Sequence, residues 1–140
     1  MSDIDIAKEH LQGHTICLSR RGEMITDDGR GISPMMKFIA ADRDLRGYCA
    51  ADIIVGKAAA MLFAKAGIAE VYGETMSEAG ARFLKSRGIP FSYGTLTEKI
   101  MNRKGDDICP MEKTVKNISD PEEAYLALKQ KVAELQSSAK

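Results

Sequence analysis

The chain has 140 residues, 44% of them hydrophobic and 29% charged, with 20 acidic and 20 basic side chains giving a formal net charge of zero. That length suits one domain with one core, and that composition excludes a disordered chain. Balanced charge gives no reason for an obligate nucleic-acid partner or an anionic membrane surface, and the longest apolar run, Ala58 to Ala64, is far too short to span a bilayer.

The opening residues, Met1 to Glu9, carry neither a basic start nor an apolar run, so no secretory signal is read there. A weak amphipathic helix is expected over Ile4 to Leu11, closing at Gly13. His14 to Ser19 alternates and holds β-formers. With a turn at Arg20 to Glu23 and a short strand at Met24 to Thr26, it predicts a hairpin. After the loop Asp27 to Gly31, Ser33 as cap and Pro34 as first helical residue start a helix to about Ala41. Ala50 to Ala66 is apolar almost all round and predicts a central buried helix ended by Gly67. Ile68 to Tyr72 predicts a strand, and Thr75-Met-Ser-Glu78 a capping box opening a helix to Arg87. Phe91 to Tyr93 is a further short strand, and Thr95-Leu-Thr-Glu98 a second capping box for a helix to about Arg103. Cys109-Pro110 starts a short helix toward Lys116. Asp120 caps the last helix, with Ala124, Leu128, Val132 and Leu135 on one face; residues 137–140 form a frayed tail beyond a single domain at 1–136. A hairpin followed by β–α units implies an α/β fold, a mixed sheet with helices on both faces.

The blocks Cys49-Ala-Ala-Asp52, Val55-Gly-Lys-Ala-Ala-Ala60, Asn102-Arg103 and Cys109-Pro-Met-Glu112, in this element order, resemble the family called domain of unknown function 1893. The resemblance covers nearly the whole chain. It implies a cytidine-deaminase-like fold, a three-layer α/β/α sandwich, and an architecture does not confer a function. Zinc deaminases place His-x-Glu or Cys-x-Glu at one helix start and Pro-Cys-x-x-Cys at the next. With the helix starts expected here, the first offers Cys49-Ala-Ala and the next Thr75-Met-Ser-Glu78, and neither completes a ligand set. No metal and no cofactor is therefore expected.

Five residues stand out as candidates. Asp52 and Lys57 are the only charges between Gly47 and Ala64. On one helix they would lie about 140° apart, so they would not pair directly. Asp52 is either a first-turn acid favouring the helix dipole or a ligand-binding group. Lys57 is either a snorkelling surface residue or a functional cation needing a partner or a depressed pKa. A phosphate loop around Gly56-Lys57 fails, because Ala51 and Ala58 stand where Gly and Ser or Thr are needed. The helix is also expected to have begun before Gly56, its amides already spent. Cys109, as cap of its helix, faces free amides that favour the thiolate, while Glu112 opposes that activation. A small buried thiol is the alternative. Arg103, at a helix end, is either ordinary capping chemistry or an anion clamp. His10 and His14 show no partner pattern, and Cys17 reads as strand packing.

The function expected is a zinc-free, deaminase-like domain that binds a small, nucleotide-like molecule in a cleft at helix N-termini, lined by Asp52, Lys57, Arg103 and Glu112. The alternatives are an enzyme with Cys109 as nucleophile and Lys57 as charge stabiliser or general acid/base, and a regulatory interaction domain. Three widely spaced cysteines fit reduced thiols in a cytoplasm. Self-association stays open.

Overall fold

The computed structural model describes residues 2–138, and its elements run α1 (Asp3–His10), β1 (Ile16–Arg20), β2 (Glu23–Asp27), α2 (Ser33–Ala40), β3 (Cys49–Val55), α3 (Lys57–Ala66), β4 (Glu70–Ser77), α4 (Glu78–Ser86), β5 (Phe91–Thr97), α5 (Pro110–Val115) and α6 (Pro121–Ser138). The strands form one open mixed sheet in the order β2-β1-β3-β4-β5. β1 is antiparallel to both β2 and β3, whereas β3, β4 and β5 are mutually parallel. Arg21 and Gly22 close the hairpin with positive φ, as a tight two-residue turn requires.

The main departure from the sequence expectation is at Ala50 to Ala66. This stretch is not one helix but a strand, the glycine Gly56, and then α3. An apolar run without a polar face has no period to read, and burial on both sides produces it in strands and helices alike. The β-branched triplet Ile53-Ile54-Val55 and the following glycine marked the strand. Asp52 and Lys57 accordingly sit on different elements.

Two capping boxes also dissolve. β4 continues through Thr75 to Ser77, and it is the Ser77 hydroxyl that caps α4, accepting from the Gly80 N–H at 3.0 Å. β5 runs on to Thr97, and no helix covers 98–103; a bridge between Met101 and Ile108 closes that loop instead. In both cases sheet hydrogen bonding prevailed over a local capping pattern. At α2, Ile32 rather than Ser33 is the cap residue, without a side-chain bond. Asp120 does cap α6, its carboxylate accepting from Glu123 N at 2.9 Å. Residues 137 and 138 lie inside α6, and the remainder of the expected tail, 139–140, falls outside the described residues.

The two sheet faces are covered unequally. Ala7 of α1 and Leu11, its C-cap residue, pack with Cys17 and Ala51 into a small cluster on one face. The other face carries the main core, in which Leu18, Ala50, Val71 and Met76 meet residues of α2, α3, α4 and α6. α3 lies at its centre: Ala58 to Phe63 are all buried, with Val115, Ala124 and Leu128 in the same cluster. The alternation of faces shifts by one residue near the ends of β3 and β4. Ile53 faces the small cluster and Val55 the main core, and both Val71 and Met76 face the main core. Among the described residues, no helix is long and apolar enough to cross a membrane.

Candidate functional site

Because β3, β4 and β5 are parallel, their carboxyl ends fall on one side of the sheet, and in open α/β sheets ligand crevices lie outside those ends. A cleft of about 890 Å³ is there. Lys57 enters it from the turn after β3, Ser77 and Glu78 from the turn after β4, and residues 98–100 from the end of β5. Glu112, Lys113 and Lys116, from α5 and its end, complete the lining. Five basic side chains line the cleft, Lys57, Arg82, Lys99, Lys113 and Lys116, against three acidic ones, Glu78, Glu98 and Glu112. In a chain of zero net charge this is a local excess of positive charge, which favours anions.

Glu112 does not act on its own helix. Its two carboxylate oxygens accept the backbone N–H groups of Lys57 and Ala58, each at 2.8 Å. These are free donors of the first turn of α3, where an anion is favoured by both the amides and the dipole. The site requires Gly56, because a Cβ there would overlap the Glu112 carboxylate. Gly80 serves the same junction: a Cβ on it would meet the Gly56 carbonyl carbon at 3.0 Å, so α4 can pack tightly on the β3–α3 turn. The blocks around Gly56-Lys57 and Pro110-Met-Glu112, 54 and 55 residues apart along the chain, are thus one structural unit. The expectation that the amides near Gly56 were spent inside a helix is corrected. They start the helix, and a carboxylate from α5 takes them.

The structure brings Lys57 and Glu112 into the cleft and leaves the other three candidates outside its lining. Lys57 is half-buried, with Nζ donating to the Lys116 carbonyl oxygen at 3.1 Å. Desolvation lowers its pKa, the Glu112 charge works the other way, and Arg82 adds to the lowering. Asp52 is 6% exposed within β3, opposite Ile16 of β1 and Gly73 of β4. Its Oδ1 accepts from Ile54 N at 3.3 Å. Burial pushes its pKa up to about 8 against two backbone hydrogen bonds, with Glu74 adding to the rise. Asp52 is therefore not a first-turn acid of a helix, since there is no helix there. Arg103 is exposed in the 102–107 turn, which Asn102 and Asp106 tie together by a 3.0 Å side-chain bond. No helix end places it at the cleft. Cys109 is the N-cap residue of α5, half-buried, without a side-chain cap bond. Cys17 and Cys49 are buried, and burial raises the pKa of both thiols. His14 binds the exposed Asp28 carboxylate at 2.7 Å.

Arg82, Lys99, Lys113 and Lys116 were not singled out from sequence. Ser77-Glu78 would have pointed at the cleft had β4 been extended to its true end, because the turn after a parallel strand is where such sites form. Lys99 was hidden in a helix that does not exist. The deaminase comparison also shifts register. The successive helix starts after the hairpin are Ile32-Ser33-Pro34 and Gly56-Lys57-Ala58, and neither carries Cys or His. Among the described residues, no three or more His, Cys, Asp or Glu side chains gather where they could hold a metal ion.

Residues 6–132 match the family model described as domain of unknown function (DUF1893). A solved structure, the crystal structure of a DUF1893 family protein from Thermotoga maritima at 2.70 Å resolution, superposes with a TM-score of 0.78. The two share 24% identity over 84% of this chain and 80% of that one, a likeness of fold. No curated protein gives a match.

Proposed function

Because the chain belongs to the DUF1893 family, whose name assigns no reaction, we propose its function from the cleft: a zinc-free, deaminase-like domain that binds a small anionic, nucleotide-like molecule. The observation that carries this reading is the position and charge of the cleft, outside the carboxyl ends of three parallel strands with five basic side chains against three acidic. The deaminase-like architecture is supported by a hairpin leading into parallel β–α units, with helices on both faces of a mixed sheet. Lys57 and Arg82 are the ligand's anion holders on the α3–α4 side, with Lys99 and Lys116 as further cations of the lining. Glu112 fixes the floor by holding the start of α3, so the ligand's charge meets side chains rather than those amides. Asp52 is a buried structural carboxyl. A Cys109-dependent reaction finds less support, since Cys109 is outside the lining and Lys57 bonds to Lys116.

The test is a thermal-shift panel of nucleoside monophosphates, sugar phosphates and the matching uncharged nucleosides on the intact chain. A ligand of the native state raises the melting temperature. Phosphorylated compounds are expected to do so, nucleotides most, and added salt should reduce the effect. Arg82→Ala and Lys57→Met should each fold and each weaken the shift. A panel without any phosphate-dependent shift, or one indifferent to both substitutions, would remove the proposal.

A further inference from the structure

The pairing of the parallel strands sets three cleft residues in a row. Val55 of β3 pairs with Met76 of β4, and Met76 with Leu96 of β5. Lys57, Glu78 and Glu98 each stand two residues beyond that register, and all three line the cleft. Neighbouring strands lie about 4.8 Å apart, so one cation and then two carboxylates follow one another along the crevice at backbone steps of that order. Glu78 opens α4, whereas Glu98 follows β5 with no helix behind it, so the role of a first-turn acid accounts for Glu78 alone. Neither forms an ion pair among the described residues, and even Arg82, one turn along α4 from Glu78, is not paired with it. The third acid of the lining, Glu112, is already spent on the amides of α3. Two unpaired carboxylates among the cations of the cleft repel a bare anion. They suit a ligand that brings hydrogen-bond donors beside its anion, because a carboxylate only accepts.

We propose that the ligand is a ribonucleotide recognised through its ribose diol: Lys57 takes the 5′-phosphate, and Glu78 and Glu98 accept the 3′- and 2′-hydroxyls. This inference rests on the anion-binding reading of the cleft and names the class of ligand within it. The order of the row matches the order of the groups. In a 5′-nucleotide a single exocyclic carbon joins the phosphate to the ring, the 3′-hydroxyl is the nearer of the two hydroxyls to it, and the 2′-hydroxyl the farther. Hydroxyl donors to carboxylate oxygens make short, strong hydrogen bonds. A sugar without one of the hydroxyls leaves a carboxylate unpaired beside a phosphate-bearing ligand. The two acids therefore select against deoxyribonucleotides and bare phosphate as well as for ribose. Phe83, Ile100 and Ile108 of the lining supply apolar surface for the base.

The experiment is isothermal titration of the intact chain, in EDTA, with adenosine and cytidine 5′-monophosphates, their 2′-deoxy and 2′,3′-dideoxy forms, and ribose 5-phosphate. Each missing hydroxyl should weaken binding about tenfold, the scale of one hydrogen bond to a carboxylate. Glu78→Gln with Glu98→Gln should remove that ladder by lowering affinity for the ribonucleotide and raising it for the dideoxy form, a split that lost stability alone does not produce. If the double variant does not fold, Glu98→Gln, outside any helix, should remove the 2′ step by itself. Ribose 5-phosphate should bind more weakly than the nucleotides, and equal binding overturns the ribonucleotide in favour of a free sugar phosphate. Equal affinities for the three sugar forms overturn the proposal and leave an anion-binding cleft standing, as does a ladder that the substitutions leave intact. Failure of every phosphorylated probe to bind overturns both readings.

Discussion

At the scale of single residues, the chemistry converges on two carboxyl groups with opposite roles. Glu112 accepts the first-turn N–H groups of a helix from another part of the chain. A charge-assisted hydrogen bond of this type contributes roughly 1.5–3 kcal/mol, and a helix cap about 1 kcal/mol. Glu112→Ala is therefore expected to destabilise the fold by about 1–3 kcal/mol in denaturant unfolding. Gly56→Ala should cost a similar amount in the native chain, because the new methyl displaces the carboxylate, and little on the Glu112→Ala background. Simple additivity of the two losses would contradict the unit described here, since residues acting through one contact couple in a double-mutant cycle. Asp52 behaves in the other way. Its pKa rises from 3.8 to about 8 through burial, so the folded chain holds that proton more tightly than the unfolded chain. Its contribution to stability is full below about pH 4 and falls as pH climbs toward 8, where ionisation forces a charge into the sheet. Asp52→Asn should remove this slope. The substituted chain should gain over the native one progressively from pH 4 to 8 and show no such gain at pH 4. A difference between the two chains that is flat across that range would sink the assignment.

At the scale of elements, burial decides which parts of the fold carry stability. α3 is sealed between the sheet and the C-terminal helices, so almost nothing on it reaches solvent beyond Lys57 and its last turn. α6 was expected to bury one continuous stripe, and it does so only over its first half. Ala124 and Leu128 are fully buried, Val132 is half-buried, and Leu135 is 40% exposed. The stripe runs on in sequence while the core beneath it ends. Leu128→Ala should cost about 2–5 kcal/mol, as leucine truncations in sealed cores do, and Leu135→Ala no more than about 0.5 kcal/mol. Comparable losses at both positions, measured by chemical denaturation, would show that the helix is covered along its whole length. β3 illustrates the other limit of pattern reading. Its residues face a core on both sides, and Asp52, its one charge, points into the larger of them.

At the scale of the whole molecule, local chemistry made some features legible and non-local contact decided the rest. The hairpin could be read because its turn and alternation are local, and so could the starts of α5 and α6, at Cys109-Pro110 and Asp120-Pro121. The α/β class and the helices on both faces followed from the order of elements. The Gly56-Lys57 and Pro110-Met-Glu112 blocks could be picked out, but not their relation, because the carboxylate and the amides it serves are brought together only by folding α5 against α3. The split of Ala50 to Ala66 into strand and helix was hidden for a related reason. A segment buried on all sides shows no period, and only its neighbours in the sheet tell which backbone geometry satisfies its hydrogen bonds. Where β4 and β5 end was settled by pairing with adjacent strands against local capping patterns. That decided the cleft as well, because its basic residues come from turns whose common position exists only once three strands lie parallel. The sequence by itself determined composition, class and the residues able to do chemistry. Tertiary structure determined which of them meet, since distance in space between residues far apart in the chain is set by packing and not by spacing.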